Sequence, residues 1–295
     1  MLEKQLLFLK IVAYTASMLL DILRRGISAK LRRSLRVVKK SPSVQSTDTR
    51  HIVIIGASFA GYQVVRQLAA SLPPNGRYRV VVIEPNSHFN FTWVLPRFCV
   101  VSGHEHKAFI PYGPHIPDTA LESIWWIKDR VSTVERTYVR LRDSGKEIPY
   151  EFLVVATGSG GAEGLPSRVG VDEKAAGIQL LKDVQSRIHD AKRIVVVGGG
   201  AAGVELAADA KDAYPEKSIV LVHSRNKVMH RFGPELQQAA LDGLARLGVE
   251  NILGEKLVAE DSEQKMLTLS SGRKVECDFL VWPEDTLTPK TESSP

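Results

Sequence analysis

A six-residue glycine turn, set between a β-branched run and a helical pattern, occurs twice in this chain, and few folds accommodate that arrangement even once. The first copy follows the strand-like run His51–Ile55 and reads Gly56-Ala57-Ser58-Phe59-Ala60-Gly61, after which Val64, Val65, Leu68 and Ala69 fall at helical spacing. Pro73-Pro74-Asn75-Gly76 breaks the pattern, and a second strand, Tyr78–Ile83, runs into Glu84, 23 residues past Gly61. The second copy runs from Arg193–Val197 through Gly198-Gly199-Gly200-Ala201-Ala202-Gly203 to a helix bearing Val204, Leu206 and Ala207, then a strand at Ser218–Val222. It starts 142 residues after the first.

A dinucleotide site needs this order. The glycine turn lets backbone approach the pyrophosphate, the helix N-terminus faces its charge, and an acid ending the second strand takes the ribose hydroxyls. The first copy is imperfect, because Ser58 replaces the middle glycine. The competing reading, a tight turn serving only helix-to-strand packing, loses weight when the pattern repeats. Two such units imply two dinucleotides, and the pairing with chemical sense is a flavin with a nicotinamide. The fold class expected is α/β, two doubly wound Rossmann-like domains.

With 295 residues, 44% hydrophobic and 24% charged, the chain excludes collagenous, coiled-coil and mainly disordered classes. Cys99 and Cys277 stand far apart with no Cys-x-x-Cys and no zinc-like spacing, so no structural metal or disulfide framework is expected, and the chain reads as intracellular. The net charge of +6 is local: residues 1–40 carry +8, leaving about −2 for the rest. The folded body therefore has no overall footprint for nucleic acid, and none is expected as partner.

Residues 1–40 are read as a membrane-associating helix. LLFLKIVAYTASMLLDIL, residues 6–23, is apolar except for Lys10 and Asp21 and precedes Arg24, Arg25, Lys30, Arg32, Arg33, Arg36, Lys39 and Lys40. At about 100° per residue Glu3, Lys10, Ser17, Asp21, Arg24 and Ser28 fall on one narrow stripe. A secretory signal fits poorly, since the positive charge follows the apolar run. A helix lying in a membrane interface with its basic tail on anionic headgroups fits the stripe. A transmembrane anchor, a mitochondrial presequence and a soluble helix docked on the body remain alternatives. The location expected is a mitochondrial or other cytosol-facing membrane.

Both turns, Phe152-Leu153-Val154-Val155-Ala156-Thr157-Gly158-Ser159 between them, and Glu205 two residues past Gly203 together resemble the two-dinucleotide-binding flavoproteins of the pyridine nucleotide-disulfide oxidoreductase superfamily, in its apoptosis-inducing-factor-like and ferroptosis-suppressor branch. Glu84-Pro85-Asn86-Ser87-His88-Phe89, Leu95-Pro96-Arg97 and Tyr214-Pro215-Glu216-Lys217 to His223-Ser224-Arg225 add to the likeness, which covers roughly residues 50–291. The resemblance implies an FAD-dependent NAD(P)H oxidoreductase. FAD would sit on Gly56, Ala57, Ser58, Phe59, Ala60 and Gly61 with Glu84 at its ribose. Arg97 matches a flavin-contacting basic position, the alternative being a surface ion pair, and Val131 falls at an adenine contact, the alternative being a simple strand residue. Thr157 and Gly158 lie in the turn that leads towards the nicotinamide domain. Gly198, Gly199, Gly200, Ala201, Ala202 and Gly203 would cradle NAD(P)H, with Glu205 near the stacked rings as the catalytic candidate. At the end of the third strand, where an acid would favour NADH, the sequence has His223-Ser224-Arg225, and Arg225 can pair with a 2′-phosphate, the alternative being a side chain in solvent, so NADPH is expected to serve at least as well.

The absence of Cys-x-x-Cys argues against disulfide reduction and leaves a small electron acceptor such as a quinone. The domain boundaries expected are 1–40 for the N-terminal helix, 41–50 for a linker, 51–168 for FAD, 169–285 for NAD(P) and 286–295 for a tail. Residues 275–282 match a strand that in the family ends in Ala-Thr-Gly, where Pro283-Glu284-Asp285 stands here. The resemblance implies a further segment with a flavin-binding Gly-Asp pair, so the chain is expected to be a truncated relative with weak flavin retention. The rival expectation is a membrane-attached nucleotide-binding interaction protein without turnover.

Overall fold

The computed structural model describes residues 2–37, 49–72, 77–113, 116, 124–158 and 168–282. The linker at 41–48, the tail and Pro283-Glu284-Asp285 lie outside the described residues. Helix α1 is continuous over Leu2–Val37, and Leu6, Phe8, Leu9, Tyr14, Leu20 and Leu23 on it are exposed. Thr15 and Ser17 turn their hydroxyls back to the Ile11 and Tyr14 carbonyls, which satisfies them within the helix. No helix among the described residues is long and apolar enough to cross a membrane, which corrects the transmembrane alternative.

The body divides into two compact units, Met1–Ile83 with His115–Ala156, and Glu84–Pro114 with Thr157–Pro295. In the first unit β1 (Arg50–Ile55), β2 (Tyr78–Ile83), β5 (Ile124–Ile127) and β9 (Phe152–Val155) form a parallel sheet in the order β5-β2-β1-β9. Helix α2 (Phe59–Ser71) joins β1 to β2. The central strands β1 and β2 are runs of buried Val and Ile because the middle of a parallel sheet is covered on both faces, whereas the outer β5 and β9 expose Trp125, Phe152 and Val155. An antiparallel meander of β6 (Val131–Val134), β7 (Tyr138–Leu141) and β8 (Glu147–Pro149) lays Val139, Leu141 and Ile148 against Val53, Ile55, Val81 and Ile83.

The second unit repeats this plan. Strands β10 (Arg193–Val197), β11 (Ser218–His223), β12 (Glu250–Leu253) and β16 (Phe279–Val281) are ordered β12-β11-β10-β16, all parallel. Alternate residues face opposite layers. Val195, Val197, Val220 and Val222 pack on a meander of β13 (Leu257–Asp261), β14 (Met266–Leu269) and β15 (Lys274–Glu276). Ile194, Val196, Ile219 and Leu221 face the helices α4 (Lys174–Asp190), α5 (Ala201–Ala213) and α6 (Pro234–Leu247). Of residues 275–282, Phe279–Val281 joins the parallel sheet, while Val275 and Glu276 belong to the meander; Asp278 joins the two, its N–H donating to the Arg193 carbonyl and its carboxylate accepting from the Arg193 backbone and guanidinium.

The segment holding β3 (Phe89–Asn90), α3 (Leu95–Phe98) and β4 (Phe109–Ile110) belongs to the second unit, where Leu95, Cys99, Val100, Ala108 and Phe109 share a core with Leu181, Ile188 and Leu206. Arg50 opens β1 and pairs with Tyr78 in the first sheet.

Candidate nucleotide-binding turns

The first turn begins where β1 ends. The Gly56 N–H donates to the Ile83 carbonyl at 2.9 Å, and Gly56 sits at φ +90°, a conformation only glycine adopts without strain. Ala57 is fully buried, whereas Ser58, Phe59 and Ala60 at the start of α2 are exposed. A Cβ on Gly61 would lie 1.9 Å from the Gly56 carbonyl oxygen, so this glycine exists to let helix and strand touch.

The second turn follows the same geometry. The Gly198 N–H donates to the Val222 carbonyl at 2.8 Å, and at φ +128° a Cβ there would meet nothing within 4 Å, so the turn opens to free space. Gly199 is wedged beside a side chain, its notional Cβ lying 2.7 Å from the His223 ring. Gly200 caps α5 in extended conformation, φ −75° and ψ −177°. Ser58 caps α2 at φ −80° and ψ −156°, which explains how serine replaces the middle glycine: that position needs no left-handed backbone. Neither helix has a side-chain cap or an acid in its first turn, so no fixed negative charge offsets the positive end of either helix dipole. The chain therefore fits a dinucleotide pyrophosphate at each turn.

Glu84 follows Ile83 directly and is buried, its Oε1 accepting from the Asn86 backbone N–H at 2.9 Å and the Asn86 amide at 2.6 Å. Beside it Ser87, His88 and Asn90 form a hydrogen-bonded row, and burial lowers the His88 pKa. Sequence reasoning missed the role of Asn86, although an Asn two residues past an acid is a turn signal. Val131 opens β6, and its side chain packs on the core of Val53 and Ile55. Thr157 and Gly158 follow β9, both exposed, with Gly158 at φ +69°.

Arg97 lies on α3 and donates to Asp209 Oδ1 on α5 at 2.9 Å, the ion pair that sequence analysis weighed as the alternative to a flavin contact. Asp209 stands four residues past Glu205, on the same helix face. Burial, and then the Asp209 charge, raise the Glu205 carboxyl above its ordinary range, with Arg97 opposing. Burial likewise raises Asp209 against the pull of Arg97, and its Oδ2 is buried without a hydrogen-bond partner. Asp209 was not a sequence candidate; its signal is the Glu205-x-x-x-Asp209 spacing. Arg225 is exposed, two residues past the end of β11. Gly56–Gly61 and Val131 fall in the first unit, whereas Glu84, Arg97, Thr157, Gly158, Gly198–Gly203, Glu205 and Arg225 fall in the second.

Burial pushes the Cys99 thiol far up and the Cys277 thiol to about 11, so both stay protonated and unreactive. Among the described residues no cluster of His, Cys, Asp and Glu is placed to hold a metal ion.

Residues 50–283 match the family model for pyridine nucleotide-disulphide oxidoreductases. Fe-regulated protein 8 of Mycosarcoma maydis is 34% identical over 271 residues, covering 81% of this chain and 65% of that protein. Ferroptosis suppressor protein 1 of Xenopus laevis is 30% identical over 249 residues, covering 81% of this chain and 63% of that protein. The chain thus spans just under two thirds of the length of these relatives. Among solved structures, the sulfide:quinone oxidoreductase of Aquifex aeolicus superposes with a TM-score of 0.64 at 17% identity, over 82% of this chain and 60% of that one, a likeness of fold.

Proposed function

Because the chain belongs to the pyridine nucleotide-disulphide oxidoreductase family, we propose that it is an FAD-dependent oxidoreductase that draws hydride from NAD(P)H and delivers electrons to a small quinone-like acceptor at a membrane surface. One observation carries the reading: two strand–glycine–helix turns, each with a first glycine at positive φ and no acid in the first turn of its helix. FAD, when bound, supplies the ring that accepts hydride and passes electrons onward.

The residues divide the work. Gly56 to Gly61 bind the FAD pyrophosphate at the α2 N-terminus, Glu84 holds its ribose, and Val131 lines the adenine. Thr157 and Gly158 form the turn leading out of the flavin sheet. Gly198 to Gly203 bind the NAD(P)H pyrophosphate on α5, and Arg225 reaches a 2′-phosphate. Glu205, one turn into the same helix, lies where the rings would stack, and its raised pKa lets it hold a proton over a wider range than an exposed acid. Arg97 serves the flavin as a guanidinium already steered by Asp209.

Two buried thiols without a Cys-x-x-Cys favour an acceptor other than a disulfide. The exposed apolar surface of α1, followed in sequence by basic residues, favours an acceptor dissolved in lipid. Absorbance near about 450 nm in the purified chain, with NAD(P)H consumption that depends on a short-chain quinone, tests the proposal. Vesicle binding without flavin absorbance or turnover favours the interaction-protein alternative.

A further inference from the structure

The two turns differ at the one position that reads the ribose. In the first, Gly56 bonds the Ile83 carbonyl and the next residue is Glu84; in the second, Gly198 bonds the Val222 carbonyl and the next residue is His223. By this register His223, and not Arg225, takes the place of the ribose acid.

His223 is 7% exposed, and its ring fills the space beside Gly199, 2.7 Å from Cγ and 2.8 Å from Cδ2 to a notional Cβ there. The His230 ring stacks on it, centroids 6.2 Å apart and planes at 28°. The Met229 N–H bonds the Gly199 carbonyl at 2.6 Å, pinning the loop that carries His230 to the glycine turn. His223 Nε2 and His230 Nδ1 are both buried without a hydrogen-bond partner, which costs free energy unless a ligand supplies one. The titratable or charged groups facing His223 are His230 and Arg225. Glu255, whose N–H bonds the His223 carbonyl, turns its carboxylate to Ser270 and Ser271. Among the described residues neither imidazole is bonded to a carboxylate.

An imidazole differs from the acid it replaces in having two usable states. Neutral, it bonds a ribose hydroxyl; protonated, it pairs with a phosphate. We propose that His223, with His230 stacked on it, is a specificity-determining element of the nicotinamide turn beside Arg225, a proton-gated reader of the 2′-phosphate that gains a proton when NADPH binds and gains none when NADH binds. The inference rests on the proposal that Gly198–Gly203 holds NAD(P)H. Burial, helped by His230 and Arg225, lowers the His223 pKa, so the ring is neutral until a phosphate dianion arrives.

Calorimetric titration of the full chain with NADPH and with NADH, each in two buffers of different ionisation enthalpy at about pH 7.5, counts the protons; the free phosphate is then mostly dianionic. Net uptake is expected with NADPH and none with NADH. The affinity ratio should move towards NADPH by up to about tenfold per pH unit as pH falls from about 8.5 to 7. His223→Gln and, separately, His230→Asn should flatten that pH profile, which loss of packing alone would not do. Binding of both nucleotides with equal proton uptake overturns the inference and leaves the nucleotide site standing. Failure of both to bind overturns the site and the inference together.

Discussion

Arg97 and Asp209, 112 residues apart in the chain, meet at 2.9 Å and tie the short helix α3 to α5, the helix that carries Glu205. The pair has a buried end and a wet end, since the Asp209 side chain is 18% exposed and that of Arg97 56%.

Arg97→Ala should therefore cost only about 0.5–1 kcal/mol of stability, as for other solvent-screened pairs. Its larger effect is on titration. Asp209 and Glu205 already hold their protons above the ordinary carboxylate range, so the folded state binds more protons than the unfolded chain and stability falls as pH rises through that window. Removing Arg97 raises both groups further and extends the fall to higher pH. Urea midpoints measured at several pH values for both forms check this; superimposable profiles would count against the cluster.

Gly61→Ala should cost about 3 kcal/mol, because its Cβ meets the backbone oxygen of Gly56 at 1.9 Å and neither side can yield. Gly199→Ala should cost less, about 2 kcal/mol, because the atoms it meets, Cγ and Cδ2 of the buried His223 ring at 2.7 and 2.8 Å, lie farther off than the backbone oxygen at 1.9 Å and belong to a side chain. Thermal unfolding of the two variants gives the order, and a more stable Gly61→Ala would refute it.

Asp129 supports the first meander. Burial raises its pKa, but hydrogen bonds from Asp143 N–H, Ser144 Oγ–H, Arg130 N–H and Ser144 N–H outweigh that and bring it to about 2. With the folded value below the unfolded one, the stabilisation is complete above about pH 4 and is lost as pH falls towards 2. Asp129→Asn should remove about 1–3 kcal/mol at neutral pH and abolish this acid dependence, read from denaturation between about pH 5 and 2.5.

Residues 1–40, with a net charge of +8 and the exposed apolar side chains of α1, should bind anionic vesicles. At about 1 kcal/mol per charge near such a surface, binding should weaken steeply with salt and vanish when the segment is deleted. Co-sedimentation at two ionic strengths measures both, and equal binding by the shortened chain would refute the assignment.

Arg225→Ala should shift nucleotide preference from NADPH towards NADH, since the exposed guanidinium offers a phosphate contact that a ribose hydroxyl does not need. The kcat/KM ratio for the two nucleotides measures it, and an unchanged ratio removes Arg225 from the site.

Much of this architecture was legible in the sequence because its signals are local. Runs such as Val80–Ile83 and Ile194–Val197 announce strands covered on both faces, and the glycines mark where each strand turns into a helix. Ser58 looked like a defect only because a glycine pattern does not say which positions need positive φ. What stayed hidden depends on long-range packing. Nothing local distinguishes Leu95 or Phe109 as members of the second unit's core, or announces that Arg97 would find Asp209. The place of His223 at the end of the third strand is legible in the sequence, but its contacts with the His230 ring and with Gly199 are not, because they arise only when the loop folds back on the turn.

The excursion of Glu84–Pro114 into the second unit has a consequence for the order of biosynthesis. Leu95 and Phe109 leave the ribosome before any of the α4–α6 residues that bury them, and Leu181 follows Leu95 by 86 positions. At about 5–20 residues per second that is a wait of about 4–17 s with an apolar segment uncovered. The nascent chain thus passes through a window in which its β2-to-β5 crossover, with Leu95 and Phe109 uncovered, is a natural client for chaperones.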